Sequence, residues 1–205
     1  MKKIFLFIII FCSANFAQTD TLSTNNGDAH LRGSQPTDNF GSGNYIGCYY
    51  NTSTLIKYRS VIKFTIPSGA GTITRISLYL HVNVNDGNPS VRVYQLTSDF
   101  DESNVTWDNN WTTPGGDYSE TVADATTAPA VGNWQTWDLL GGDSDSPILG
   151  LTWGSSIKLL LKLVENTSEY AFYDSKEFTT TSYRPYIKIT YTPLATFKPQ
   201  IIFIE

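Results

Sequence analysis

The sequence predicts an all-β domain, a sandwich or a barrel, on three observations. Short runs of β-branched and aromatic side chains alternate with clusters of Gly, Asn, Asp, Ser, Thr and Pro, the pattern of strands punctuated by turns. Several of these runs alternate apolar and polar residues with a period of two. Only 16% of the 205 residues are charged, against 40% hydrophobic and 14% aromatic, which disfavours a long exposed helix or a coiled coil.

The N-terminus reads as a leader. Lys2 and Lys3 precede an apolar run over residues 4–11, and the small residues Ser13 and Ala14 lead to Ala17, so residues 1–17 are expected to be a secretory signal peptide. The run is shorter than the roughly 20 residues that cross a bilayer, and no membrane span is expected. Phe11 before Cys12 disfavours lipoprotein processing, which takes a small residue there. Removing residues 1–17 takes away two Lys and no acid, moving the net charge from -5 to -7. Cys48 is then the only cysteine, which excludes an internal disulfide and a thiolate metal cluster. It lies in the strand-like Tyr45-Ile46-Gly47-Cys48-Tyr49-Tyr50 and reads as a small buried hydrophobe. An exported chain without disulfides needs another stabiliser, and structural Ca2+ is the expected one.

Strands follow in order over residues 55–66, 73–84, 90–96, 134–139, 157–164, 169–174 and 186–192. In the second, Ile76, Leu78, Leu80, Val82 and Val84 share one face and Arg75, Ser77, Tyr79, His81 and Asn83 the other. The turn Asn85-Asp86-Gly87-Asn88-Pro89 is expected to make a hairpin with residues 90–96. Residues 147–153 read as one helical turn, capped by Asp145 or Ser146 with Pro147 at the first helical position. Residues 111–132, with Pro114, Gly115, Gly116 and Pro129, read as a long binding loop. One domain is expected over residues 18–192. The apolar stretch 197–204, within a tail of residues 193–205, reads as an edge strand, the start of a further segment, or a strand given to a neighbour.

The catalytic inventory is thin. There are two histidines, His30 and His81, and no GxSxG, HExxH, Walker or GxGxxG pattern, although a triad can assemble in space. Nineteen acids leave a carboxylate pair for glycoside hydrolysis open. With 14 Lys+Arg and a pI near 5.0, no basic surplus exists for a nucleic-acid partner. Turn clusters at residues 26–28, 38–39, 143–145 and 174–177, with Asp138, offer oxygen ligands for a hard cation, or are turn formers only. All five tryptophans fall between Trp107 and Trp153. Flat rings pack against sugar C-H groups. Trp134 and Trp137 face opposite ways along one strand, so one of them is expected in the core, and Trp111 is the first candidate for exposure.

These residues resemble a known family. Asp28-Ala29-His30-Leu31-Arg32, Asn39-Phe40-Gly41-Ser42 and Tyr58-Arg59-Ser60-Val61-Ile62-Lys63-Phe64 are similar to the opening of the DNRLRE-domain, or disaggregatase-related, secreted carbohydrate-binding modules. The order continues through residues 73–80, Val105-Thr106-Trp107-Asp108-Asn109 and Trp134-Gln135-Thr136-Trp137-Asp138-Leu139 to residues 172–177 and 184–191. The resemblance implies a jelly-roll β-sandwich of two antiparallel sheets, structural calcium, and binding of acidic or neutral polysaccharides, alginate among them. It makes Asp28, Asn39 and Glu177 the candidates for a metal site.

The expected function is non-catalytic polysaccharide binding outside the cell. Trp111, Tyr118 and Trp134 are expected to stack sugar rings, and Arg92 or Arg32 to pair with uronate carboxylates. An acidic mature chain takes an anionic glycan only where its basic residues are focused locally. Two other readings stand beside it: a subunit of an extracellular fibre or adhesin that self-associates through residues 197–204, and a polysaccharide hydrolase or lyase.

Overall fold

The computed structural model describes residues 5–12, 16–22, 26–145, 147–194 and 197–204. In chain order the strands are β1 Phe5–Cys12, β2 Gln18–Leu22, β3 Gly27–Arg32, β4 Tyr45–Tyr50, β5 Lys57–Thr65, β6 Thr72–Asp86 and β7 Ser90–Leu96. They continue with β8 Tyr118–Thr127, β9 Trp134–Leu140, β10 Ser156–Leu163, β11 Glu169–Asp174, β12 Tyr186–Thr192 and β13 Phe197–Ile204. The one helical element among the described residues is a 3-10 turn, Thr181–Tyr183. The fold is all-β, a jelly-roll sandwich whose strands pair antiparallel.

A front sheet has the order β2-β12-β6-β9, and a back sheet the order β11-β4-β5-β10-β7-β8, with β3 also on β5. The long strand β6 belongs to both. Its residues Thr72–Tyr79 pair with β12, and Val82–Asp86 pair with β11, so one sheet curls into two layers. At the opposite side, side chains close the gap between β8 and β9: Asp124 Oδ2 accepts the Asp138 N-H (2.6 Å), and Gln135 Nε2 donates to the Thr126 carbonyl (3.0 Å).

Alternation places the core between the layers. Ile76, Leu78, Leu80, Val82, Trp137, Leu139, Ile187 and Ile189 point in from the front, and Ile62, Phe64, Val91, Val93, Leu159 and Leu161 from the back. Polar tips inside find partners, as burial demands. Trp137 donates its indole N-H to the Val91 carbonyl (3.0 Å), and Tyr173 its hydroxyl to Gln135 Oε1 (2.7 Å), stitching the layers together. Cys48 is fully buried, and burial pushes its thiol pKa up. Where β4 and β5 part, the Ser60 hydroxyl accepts the Gly47 N-H (2.6 Å) and donates to the Gly47 carbonyl (2.7 Å), replacing the missing ladder bonds.

Three local expectations are corrected. β6 and β7 are not a hydrogen-bonded hairpin: β7 pairs with β10 and β8, so residues 87–89 carry the chain from β6 to a strand that is not its neighbour. Both strands send apolar residues into the same core, and facing each other across it serves that better than lying side by side. The stretch 111–132 contains β8, whose pattern the sequence hides because both of its faces are only partly buried. Residues 147–153 form turns and no helix; Ser146, one of the expected caps, lies outside the described residues.

β1 pairs with β13 along its whole length, from Phe5 opposite Ile204 to Cys12 opposite Phe197. Residues 1–4 and 13–15 of the expected signal peptide lie outside the described residues.

Candidate functional site

The outward face of the back sheet is apolar in its middle and basic at one end. Val61, Leu160, Tyr94 and Leu96 alternate with core residues and so point outward. Residues 97–117 fold over them, burying Phe100 and Val105 with Trp107 and Trp111 packed alongside. Gly115 and Gly116 let this cover lie close, at φ +88° and +110°. A Cβ at Gly115 would sit 2.8 Å from the Trp107 ring, and one at Gly116 would collide with Leu160.

Where the cover ends, the same outward positions become Arg59 on β5, Lys162 on β10 and Arg92 on β7, with Lys162 directly opposite Arg92. Tyr118, which opens β8, lies against Arg59 and Lys162. Lys162 Nζ donates to its hydroxyl (3.2 Å), and the Arg59 guanidinium carbon is 5.6 Å from its ring centre and 5.2 Å from that of Trp107. Glu165 is the counter-ion of this group. Its carboxylate meets Lys57 Nζ at 2.5 Å, Arg59 Nη2 at 3.1 Å and Lys162 Nζ at 3.5 Å. Burial pushes the Glu165 carboxyl up, but the Lys57 hydrogen bond and the charges of Arg59 and Lys162 outweigh it and hold the pKa below the ordinary value. Three cations, Lys57, Arg59 and Lys162, thus share one half-buried carboxylate, and Arg92 makes no ion pair among the described residues. An open cleft of about 450 Å³ adjoins, lined by Arg59, Tyr118, Thr112, Asp117 and Glu120 among others. Asp117 itself staples the loop, accepting the N-H groups of Thr112 and Thr113 at 2.7 and 2.9 Å.

A second constellation lies at the N-terminal edge. Asp28 on β3 and Glu177 just after β11 converge, as expected, and Glu102 joins them: each offers one carboxylate oxygen, and the three lie within 4.8 Å of one another. The Asp28 N-H donates to Glu102 Oε1 (2.8 Å), and the Lys176 N-H to Asp28 Oδ2 (2.9 Å). Asn39 has another task. Its amide donates to the Glu102 and Val105 carbonyls (2.8 and 2.7 Å) and its oxygen accepts the Gly41 N-H (3.2 Å), so it fixes the turn that presents Glu102. Lys176 Nζ bridges Glu102 (2.9 Å) and Glu177. Burial pulls its pKa down, but these hydrogen bonds and charges override that and raise it to about 12. The donor set suits a hard cation: three carboxylates, with Glu177 Oε2 buried and lacking a hydrogen-bond partner among the described residues.

The remaining candidates are scattered. Trp111 is half-buried in the cover loop and donates its indole N-H to the Thr106 carbonyl (2.9 Å), so its main work is packing. Trp134 lies on the outward face of the front sheet, away from Tyr118. Arg32 lies 4.0 Å over the Phe40 ring and donates to His30 Nδ1 (3.4 Å), at the far end of β3 from Asp28. Burial, with the charge of Arg32 beside it, pulls the His30 pKa down to about 3. His81 is buried and tied to Asp174 (2.6 Å). Sequence reasoning passed over Arg59, Lys162, Glu165 and Glu102. Their parity on β5 and β10 was the available signal for the first two, whereas nothing in the spacing ties Glu102 to Asp28.

No curated protein matches the chain closely enough to establish kinship. A family model does match, over residues 19–191, and its description is carbohydrate-binding module family 96. The carbohydrate-binding class implied by the sequence resemblance is therefore shown, under a family related to the DNRLRE-domain modules. The chain belongs to carbohydrate-binding module family 96.

Proposed function

We propose that the protein is a secreted, non-catalytic module that binds uronate-containing polysaccharide on the outward face of its back sheet. One observation carries this: a chain of net charge -5 gathers Lys57, Arg59 and Lys162 on one carboxylate, Glu165, with Arg92 directly opposite Lys162 and the Tyr118 ring against Arg59 and Lys162. Local focusing of that kind attracts an anion despite the overall acidity. Arg92, without an ion-pair partner among the described residues, can meet a uronate carboxylate in a charge-assisted bond, while the Tyr118 ring offers a face for the sugar C-H groups. Modules of this type typically bind without catalysis, which supports the non-catalytic reading; the leader-like residues 1–17 support secretion. Affinity electrophoresis tests it. The protein should be retarded in gels containing alginate and Arg92→Glu should run unretarded; equal mobility of the wild-type protein with and without alginate would refute it.

Calcium belongs to the same proposal as a structural ion. Asp28, Glu102 and Glu177 would hold it, linking β3, the 97–117 segment and the end of β11, with Lys176 displaced from the carboxylates. A bound ion would supply there the positive charge that Lys176 now supplies. A second reading follows from β13. If residues 1–17 are removed on export, β13 loses β1, the partner it now has, and can pair with a neighbouring copy. Light scattering of the chain starting at residue 18, with and without residues after Pro193, tests this, and a monomer in both cases refutes it.

A further inference from the structure

The front sheet presents a different surface on the opposite side of the sandwich. Its outward positions include Tyr79 and His81 on β6, Trp134 and Thr136 on β9, and Tyr186 and Lys188 on β12. A solvated sheet face ordinarily carries small polar and charged residues, as this one does farther along at Arg75, Ser77 and Thr190. Here the rings gather instead. Tyr79 stacks on Tyr186 at 4.7 Å with 6° between planes, and Trp134 meets Tyr186 edge-on at 4.8 Å. His81 lies under Trp134 at 5.3 Å and stacks on Tyr183 at 4.0 Å. His81 is held in place by Asp174 (2.6 Å) and by the Gly132 carbonyl (3.2 Å). Trp134, Tyr79 and Tyr186 nevertheless stay partly exposed.

Two polar groups on this face have no hydrogen-bond acceptor among the described residues. Trp111, Trp137 and Trp153 each donate the indole N-H to a backbone carbonyl at 2.9, 3.0 and 3.0 Å, whereas Trp134 makes no such bond among the described residues. Lys188 Nζ lies 4.7 Å from the Tyr79 ring centre and pairs with no carboxylate among the described residues. An aromatic surface flanked by the Trp134 N-H and by an ammonium that rests on the Tyr79 and Tyr186 rings with its N-H groups still open to a hydroxyl matches a pyranose ring, with C-H groups for the rings and hydroxyls for the donors. With Lys188 the cation beside these rings, against the cluster of Arg59, Lys162 and Arg92 on the back sheet, and with Asp174 beneath, the match is to an uncharged sugar.

We propose that the front-sheet face is a second glycan site, which takes neutral pyranose rings on Trp134 and Tyr186 and hydrogen-bonds their hydroxyls through Trp134 Nε1 and Lys188. This rests on the chain's membership of a carbohydrate-binding family and not on the uronate reading of the back sheet. Because the two faces lie on opposite sides, one molecule can hold two glycan chains at once, an avidity device in a polysaccharide matrix.

The test uses the intact 15N-labelled chain, titrated in turn with hexasaccharides of β-1,4-glucan, β-1,4-mannan, β-1,4-xylan and mannuronate. At least one neutral hexasaccharide should move the Trp134 indole signal and the Lys188 amide while leaving Arg92 and Lys162 in place. Trp134→Ala and, independently, Tyr186→Ala should each weaken that binding roughly tenfold or more, with Arg92→Glu unaffected. The proposal is overturned if no neutral hexasaccharide moves the Trp134 signal, if both folded alanine variants bind as the wild type does, or if mannuronate moves that signal as strongly as a neutral sugar. The mannuronate shifts at Arg92 and Lys162 report separately on the back-sheet reading, so either site can fail alone.

Discussion

Replacing Glu165 by Gln separates stability from binding, because the same carboxylate that holds the basic cluster together also competes with an anionic ligand for it. The side chain is 16% exposed and its partners Arg59, Lys162 and Lys57 are 10%, 16% and 35% exposed. An exposed pair contributes up to about 1 kcal/mol, and breaking a buried one costs roughly 3–5 kcal/mol. Glu165→Gln, which keeps one acceptor, therefore costs about 2 kcal/mol and lowers Tm by roughly 4–8 °C in a domain of this size. The folded carboxyl titrates below its ordinary value, so its contribution is complete above the unfolded pKa of about 4.3 and is lost as pH falls through the lowered one. The difference between variant and wild type should shrink accordingly in acid. Binding should move the other way. Removing one negative charge from beside the ligand is worth on the order of 1 kcal/mol in a wet site, a three- to tenfold gain in oligouronate affinity. Urea melts at pH 7 and pH 3.5, paired with calorimetry on a mannuronate hexamer at pH 7, read both effects. A folded Glu165→Gln protein that binds more weakly than the wild type would refute the reasoning, since it would make Glu165 an organiser of the site and not a competitor in it.

Three further outcomes are expected. Calcium at 10 mM, against a Kd of roughly 10⁻⁴–10⁻³ M common in extracellular modules, should stabilise by about 1.4–2.7 kcal/mol and raise Tm by roughly 3–10 °C; Glu102→Gln should abolish the shift, and an unchanged wild-type Tm with EDTA and with calcium would remove the ion from the proposal. Trp137→Ala empties the fully buried centre of the core and frees the Val91 carbonyl, so denaturant midpoints should report a loss of roughly 3–5 kcal/mol; a loss under about 1 kcal/mol would mean the layers pack without it. Asn39→Ala should weaken calcium binding without removing a ligand, because it loosens the turn that presents Glu102, and equal calcium affinity would show that turn to be fixed by other bonds.

The strands that were legible are those with one dry and one wet face. β6 showed its inward set, Ile76, Leu78, Leu80 and Val82, because alternation reports burial on a single side. β8 stayed hidden, since its two faces are both half-buried and its residues carry no period. The supposed β6–β7 hairpin failed for a general reason: a turn signal fixes where the chain reverses, and it does not say whether the next strand lies beside the last one or across the core from it. The metal candidates show the same limit. Asp28 and Glu177 were found through a resemblance, whereas Glu102 comes within reach only because Asn39 and Gly41 fold a distant turn against β3. Trp111 looked exposed from its polar neighbours, but the carbonyl of Thr106 takes its N-H and the apolar outward face of the back sheet takes its ring. That face, invisible as a second hydrophobic surface until the strands are aligned, is also what ends in the Arg59, Lys162 and Arg92 cluster.

Calorimetric titration of a mannuronate hexamer into the wild-type protein and into Arg92→Glu/Lys162→Glu, at low and at raised salt, probes that cluster directly. Binding to the wild type should be measurable, should weaken as salt screens the charges, and should be absent from the folded double variant. No heat of binding to the wild type, or equal affinity in the variant, would place the glycan elsewhere on the molecule.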